Sequence, residues 1–127
     1  MDERSAVITL DGKQYELLLT TKATREIAKR YGGLENLGET LMNSENFEMA
    51  LDEVISLIVL LANQPILIHN LKHPDDRREL LTAELVELLT SPYDLAEYKD
   101  AIMEAMTRGT QRNVESEDGG GKNRRAG

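Results

Sequence analysis

Alternating apolar positions at the start of the chain predict a β-hairpin over residues 6–19. The runs AVITL and QYELLL flank the dipeptide Asp11-Gly12, which tolerates the positive φ angles of a tight hairpin turn. Both faces of these runs are partly apolar, and a two-stranded hairpin alone is only marginally stable in water. We therefore expect helices to pack against at least one of its faces.

The spacing of apolar residues becomes helical after residue 20. Thr20 or Thr21 is the expected N-cap of a first helix. The double glycine Gly32-Gly33 ends this helix, with one of the two in the left-handed cap conformation. A short second helix is predicted over residues 34–42. The apolar face of the first helix is formed by residues four apart: Ala23, Ile27 and Tyr31.

The most apolar part of the chain predicts a central, buried helix. Ser44 or Asn46 is its expected cap, and residues 55–62 are apolar nearly all round the helix. Pro65 is expected to end or kink it, because proline lacks the backbone donor that a helix interior needs. Residues 66–73 fit either a further helical turn or an extended link.

Two further helices are predicted before the apolar pattern is lost. Pro74, followed by two acids, is expected to open a helix with a leucine-rich side. Thr82 is an alternative cap for a separate short helix in the same region. Ser91 is the expected N-cap of the last helix, and Pro92 occupies its first position. This helix is expected to end at Gly109 or soon after.

These elements predict a mainly α fold, a small bundle of about five helices with an N-terminal β-hairpin. The chain has 127 residues, which favours one domain, and we place that domain at residues 1–113. Residues 114–127 have no apolar pattern with which to offset the entropy of ordering. They are therefore predicted to form a flexible, disordered tail.

Charge disfavours a nucleic-acid partner. The formal net charge is −8, and such a surface repels a phosphate backbone unless its basic residues cluster. Four basic residues do share the first predicted helix, but Glu26 lies among them and residues 32–71 contain neither Lys nor Arg. We interpret the basic positions as a solvated helix face.

Membrane and secreted locations are also disfavoured. The apolar stretch 54–68 is shorter than a membrane span and is interrupted by polar residues and proline. The N-terminus is charged where a signal peptide is apolar. The chain contains no cysteine, which excludes disulfides and thiolate metal sites. Nothing in the sequence therefore points to an oxidising compartment. We predict a cytoplasmic protein.

No arrangement of residues predicts catalysis. His69 and His73 have the spacing of a helical metal pair and Asp75 and Asp76 follow them, but Pro74 interrupts the helix, so a loop pair is favoured. The paired acidic residues lie at helix starts or on helix faces, not in the opposed arrangement of catalytic carboxylates. No serine lies in a nucleophile motif, and the glycine runs lack the features of a phosphate-binding loop. We predict a non-enzymatic protein without a metal or cofactor.

One longer pattern is more informative. The hairpin ITLDGKQYELLLT is followed by KATREIAKRYGGLENLGETL, an apolar helical body and a charged, glycine-rich ending GGGKNRRAG. In order and length this pattern resembles the tail assembly chaperones of siphovirus-type phages and prophages of Gram-positive bacteria. The resemblance covers most of the chain and is strongest over residues 8–41. It defines no individual functional residues.

The resemblance implies a function and partners. Proteins of that family act in the host bacterial cytoplasm, hold the tape-measure protein soluble and bring tail-tube subunits to it. A longer form is commonly made by a programmed ribosomal frameshift. The residues Gly120-Gly121-Lys122 can be encoded by a sequence on which a ribosome slips back one base, so the frameshift is a hypothesis that the codons test.

A chaperone of apolar helices needs an apolar groove or an exposed helix face. The apolar excess that follows Pro65, together with methionines of the last helix, supplies candidates for such a surface. The predicted partner-binding residues are Ile66, Leu67, Ile68, Leu71, Met103 and Met106.

Two other functions remain open on the sequence alone. The chain fits a structural minor tail or connector protein of the virion, and it fits a bacterial regulatory adaptor unrelated to phage. The sequence leaves the oligomeric state undecided.

Overall fold

A computed structural model describes residues 5–43 and 47–119. In chain order the elements are two strands, β1 (Ser5–Leu10) and β2 (Lys13–Leu18), then α1 (Thr21–Tyr31), α2 (Leu34–Asn43), α3 (Phe47–Lys72), α4 (Ala83–Leu89) and α5 (Pro92–Gly119). The predicted fold class is confirmed: the described chain is mainly helical, with five helices and an N-terminal hairpin.

The hairpin forms at the expected turn and packs on two helices. Asp11 and Gly12 both have positive φ, 53° and 76°, as a two-residue turn between right-twisted strands requires. α3 packs against β2 and α5 against β1. Two side chains of α5 fasten β1: the hydroxyl of Tyr98 donates to the carbonyl of Thr9 at 2.6 Å, and Arg108 Nη1 donates to the carbonyl of Ser5 at 2.9 Å.

α1 begins and ends where its local sequence predicts. Thr20 is the N-cap, and its hydroxyl accepts from the backbone N–H of Ala23 at 3.0 Å. Gly32 is the C-cap with φ 87°, and its N–H donates to the carbonyl of Ala28 at 2.9 Å. Both ends of the helix thereby satisfy backbone groups that lack intrahelical partners. The predicted caps Ser44 and Asn46 of the next long helix lie outside the described residues.

Pro65 does not end the central helix. α3 continues through it to Lys72, so the segment whose conformation was undecided is helical. Leu57, Ile58 and Leu61 are fully buried in the main core. We attribute the continuity to this packing, because burial of several large apolar side chains outweighs the cost of about 3 kcal/mol for a proline inside a helix.

The continuous helix also changes the membrane prediction. By length and composition, Leu51–Lys72 is long enough and apolar enough to cross a membrane, which the shorter stretch 54–68 was not. A core helix of a soluble protein passes the same test. Here 44% of the apolar window is buried, and α3 packs against β2 and α5.

The helix predicted to begin at Pro74 does not form. Residues 73–82 contain a turn followed by irregular chain. Thr82 is instead the N-cap of the short helix α4, with its hydroxyl accepting from the N–H of Leu85 at 3.2 Å. The alternative of a separate short helix is therefore correct, because a local cap competes successfully with the weaker start signal at Pro74.

α5 starts as predicted and ends later. The backbone N–H of Ser91 donates to Asp94 Oδ2 at 2.9 Å and the N–H of Asp94 donates to Ser91 Oγ at 3.3 Å, which is a reciprocal cap. Gly109 does not end the helix, which continues to Gly119. The boundary between domain and tail at residues 113 and 114 stays a prediction. Residues 120–127, with the proposed frameshift codons, lie outside the described chain.

Candidate protein-binding groove

A groove of about 470 Å³ lies between α1, α3 and α4. Its floor is one face of α3, formed by residues spaced alternately by three and by one, the pattern of a single helical face. Residues 52 to 67 of α3 cover about 22 Å at 1.5 Å per residue. The floor consists of Asp52, Ile55, Ser56, Val59, Leu60, Asn63, Gln64 and Leu67; the walls are Lys22, Glu26 and Arg30 on α1, and Leu80, Ala83 and Glu87 on the other side.

The α1 wall is held against one edge of α3 by two side-chain hydrogen bonds. The hydroxyl of Thr20 donates to Gln64 Oε1 at 2.6 Å, and Arg30 Nη1 donates to Ser56 Oγ. The start of α1 therefore lies at the later part of the α3 floor and the end of α1 lies at its earlier part. α1 runs antiparallel to α3 along the groove.

The opposite wall begins with residues 77–82, here named the strap. The side chain of Asn63 donates to the carbonyl of Leu81 at 2.9 Å and accepts from its N–H at 2.7 Å. Asn70 makes the same pair of bonds with Arg78, at 3.0 and 2.7 Å. Each asparagine amide thus bonds both the N–H and the C=O of one strap residue, as the backbone of a neighbouring β-strand would.

We call each of these pairs of hydrogen bonds an amide clamp. The spacing of the two clamps explains why the strap follows the helix. Asn63 and Asn70 are seven residues apart, which is about 10.5 Å along a helix axis. Arg78 and Leu81 are three residues apart, which is about 10 Å in an extended chain. The two distances match, so both clamps form together. They hold Leu81 in the core, where it is buried, and they place α4 beside α3.

The middle of the floor is suited to an apolar ligand because its buried polar groups already have partners. Asn63 and Gln64 are buried; the first binds the strap, and the second accepts from Thr20 and donates to the carbonyl of Leu60 at 2.9 Å. Buried polar groups with satisfied hydrogen bonds carry little further desolvation cost when water leaves. The half-buried side chains of Val59, Leu60 and Leu67 remain as the apolar contact surface.

α4 exposes more apolar surface than the fold uses. Of its four large apolar residues only Val86 is buried. Leu85, Leu88 and Leu89 are 44%, 74% and 41% exposed. Exposed clusters of this kind mark interaction surfaces more often than isolated exposed leucines do. We name these three residues the leucine ridge.

The six predicted partner-binding residues do not form one surface. Leu67 lines the groove. Leu71 is 83% exposed and lies one turn later on the same side of α3. Ile66 lines a different cavity, beside β2 and the strap, and Ile68 is half-buried.

The two methionines lie elsewhere. Met103 and Met106 line a shallow cavity with Leu34, and Met106 is buried in the core. Leu67 is the single predicted partner-binding residue among those that line the groove; the apolar residues Val59, Leu60 and Leu80 are among those that sequence reasoning missed. The face from residue 52 to residue 67 mixes apolar and small polar positions at helical spacing, and this mixture is the signal that could have identified it.

Two titratable side chains outside the groove, His69 and Tyr98, make hydrogen bonds within the fold. His69 Nε2 lies 2.7 Å from the carbonyl oxygen of Asp76, and the His69 and His73 rings stack at 4.7 Å. Within residues 5–43 and 47–119, no three His, Cys, Asp or Glu side chains group as metal ligands. Burial, and then the charges of Asp94 and Glu97, raise the pKa of Tyr98, whose hydroxyl is committed to the hairpin.

No protein-family model matches the chain, and no curated protein or solved structure matches it. The function is therefore inferred from the groove and from the resemblance carried by the sequence. The groove is about as long as a helix of 15 residues, and four of its eight floor residues are apolar: Ile55, Val59, Leu60 and Leu67. An amphipathic helix of a partner protein is the kind of ligand that binds such a groove.

Proposed function

We propose that the protein is a non-enzymatic phage tail assembly chaperone that covers an apolar helical segment of the tape-measure protein. The observation that carries the proposal is the groove over one face of α3, whose apolar side chains Val59, Leu60 and Leu67 stay half-buried between two fixed walls. A helix laid in the groove would pack on α3 with α1 and α4 beside it, as neighbouring helices pack in a bundle.

The size of the groove defines the segment. A floor of about 22 Å accommodates a helix of about 15 residues. Its apolar stripe would contact Val59, Leu60 and Leu67, so water leaves apolar surface on both partners. A tape-measure protein is rich in long apolar helices, according to the resemblance, and such segments need cover until the tail tube encloses them.

The leucine ridge fits the same role. It lies on α4, whose other side contributes Ala83 and Glu87 to the groove, so a long partner can contact both surfaces. A formal net charge of −8 favours solubility of a chain that displays apolar patches. Recruitment of tail-tube subunits, a frameshifted longer form and the host cytoplasm as location belong to the same proposal through the resemblance.

Co-expression with the tape-measure protein tests the proposal. We expect the tape-measure protein to be insoluble alone and soluble with this chain. Ala83→Glu places a charge in the groove, while an acid in the first turn of α4 favours the helix; we expect this variant to fold and to lose the co-solubilising effect. Ala96→Glu, at an exposed alanine outside the groove, is the matched control.

Two results would contradict the proposal. One is a tape-measure protein that stays insoluble with the unmodified chain, and the other is equal activity of Ala83→Glu and the control. Detection of this chain in purified virions would instead favour a structural tail component. A gene without neighbouring tail-tube and tape-measure genes would favour a bacterial adaptor.

A further inference from the structure

The two ends of the groove carry opposite charge. We infer that the groove accepts its partner helix in one direction, with the N-terminal end against Asp52 and Glu87 and the C-terminal end against Lys22. This inference rests on the proposed function, and it specifies how the partner lies in the site.

The acidic end is where α3 enters the groove. Asp52 and Glu87 both line the groove, and both also line a neighbouring cavity at the junction of α4 and α5. Residues from two different elements that share two cavities lie close to each other. Asp52 is one turn before Ser56, which fixes the end of α1 through Arg30.

The basic end is where α1 begins. Thr20 is bonded to Gln64, and Lys22 follows two residues later on the wall that lines the groove. The distance along α3 from Asp52 to Gln64 is about 18 Å. Charges of opposite sign are therefore separated by most of the length of the groove, farther apart than the Debye length of about 8 Å at physiological salt.

The other charged wall residues do not cancel this polarity. Glu26 lies between the two ends and pairs with Lys29 at 3.6 Å. Arg30 is bonded to Ser56 and offsets one of the two carboxylates nearby, which leaves the excess negative. In the part of the chain that the structure describes, no ion pair involves Asp52, Glu87 or Lys22.

A helix responds to such a gradient through its own dipole. Its N-terminus carries a partial positive charge and its C-terminus a partial negative charge. Binding in the stated direction places each helix end beside the opposite charge, and binding in the reverse direction places each end beside the same charge. The fitting occupant is an amphipathic helix of about 15 residues whose first turn lacks acidic side chains, since these would meet Asp52 and Glu87.

The absence of cysteine in the chain makes the direction measurable by disulfide trapping. Lys29→Cys introduces a thiol near the acidic end, and Leu71→Cys introduces one beyond Leu67 at the other end; both positions are exposed. The probe is a capped 16-residue peptide with a leucine and alanine stripe and glutamine elsewhere, made with one cysteine at its first or at its last position. Disulfide formation with the full chain is followed in a glutathione buffer.

We expect the peptide with the N-terminal cysteine to react with Lys29→Cys about fivefold faster than with Leu71→Cys, and the other peptide to show the reverse preference. Combining Lys22→Glu with Asp52→Lys and Glu87→Lys, all at exposed positions, should invert both preferences. Equal rates at the two ends, or a preference that the charge exchange leaves unchanged, would overturn the inference while leaving the proposed function standing. Adding Ala83→Glu to each cysteine variant blocks the groove. Disulfide formation that is no faster without this substitution than with it would overturn both the inference and the proposed function.

Discussion

The strap depends on Asn63, and removing its amide should cost more stability than any exposed substitution. Asn63 is 9% exposed, and its two bonds to Leu81 measure 2.9 and 2.7 Å in a buried setting. Asn63→Ala leaves one buried N–H and one buried C=O without partners. Each such group costs about 1–3 kcal/mol, so we expect the two together to lower the free energy of unfolding by about 2–6 kcal/mol.

Asn70 provides an internal control with the same geometry. Its bonds to Arg78 are of similar length, and Asn70 itself is 6% exposed. Its partner Arg78 is exposed, whereas Leu81 is buried, so water can replace the lost amide at Arg78. Asn70→Ala should therefore cost about 1 kcal/mol. Asn63→Leu keeps most of the side-chain volume and still strands the groups of Leu81, so it separates the hydrogen-bond effect from the effect of a cavity.

Urea unfolding followed by circular dichroism gives these free energies when the transition is two-state. The reasoning also predicts that Asn63→Ala weakens partner binding, because the strap carries Leu80 and leads into α4. A loss below about 0.5 kcal/mol for Asn63→Ala, or equal losses for the two asparagines, would refute the claim that buried amide clamps hold this wall.

Three further predictions follow from individual contacts. Gly109→Ala should destabilise the protein by about 1–2 kcal/mol in urea unfolding despite the better helix propensity of alanine, since the new Cβ would lie 3.0 Å from Cβ of Leu19. Tyr98→Phe should cost about 1 kcal/mol at pH 7 through loss of the bond to Thr9. Because the native pKa of Tyr98 is raised, the folded chain keeps this proton above pH 10 while the unfolded chain releases it; stability should fall as pH rises from about 10, and less so in the phenylalanine variant. Leu67→Ser should abolish co-solubilisation of the tape-measure protein while Ile66→Ser preserves it, since both side chains are half-buried but only Leu67 lines the groove; equal behaviour in the pull-down would contradict the assignment.

Local signals predicted those parts of the fold that local chemistry decides. The positive φ angles at Asp11 and Gly12 and the cap at Thr20 follow from residue types at adjacent positions. Ser91 and Asp94 likewise complete a cap within a few residues. In each case the partners are close in sequence, so no knowledge of the tertiary structure is needed.

Long-range packing decided the parts that local signals missed. Whether Pro65 ends α3 depends on how much of the helix is buried by β2 and α5, and the residues around the proline do not carry this information. The strap is held because the distance between Asn63 and Asn70 along α3 equals the distance between Leu81 and Arg78 along the strap. Neither Asn63 nor Asn70 is unusual in its immediate sequence, so the match becomes visible only when both segments are placed together.

The site was predicted less well than the fold for the same reason. An apolar position becomes a binding surface only when nothing in its own chain covers it. Leu67 and Leu71 were identified and lie on the groove side of α3, whereas Met106 is buried. The exposed leucine ridge escaped notice because a leucine-rich helix pattern normally indicates a buried face, and only the placement of α4 shows otherwise.

The central claim is that the groove, rather than another apolar part of the chain, covers the partner helix. Methyl NMR spectra of the full chain, recorded free and in the co-expressed complex with the tape-measure protein, provide the test, because each methyl group reports its own surroundings. We expect shifts or broadening at Val59, Leu60 and Leu67, with the Met103 methyl on the far cavity unchanged. Changes centred on Met103 with the groove methyls unaffected, or no change in the complex, would contradict it.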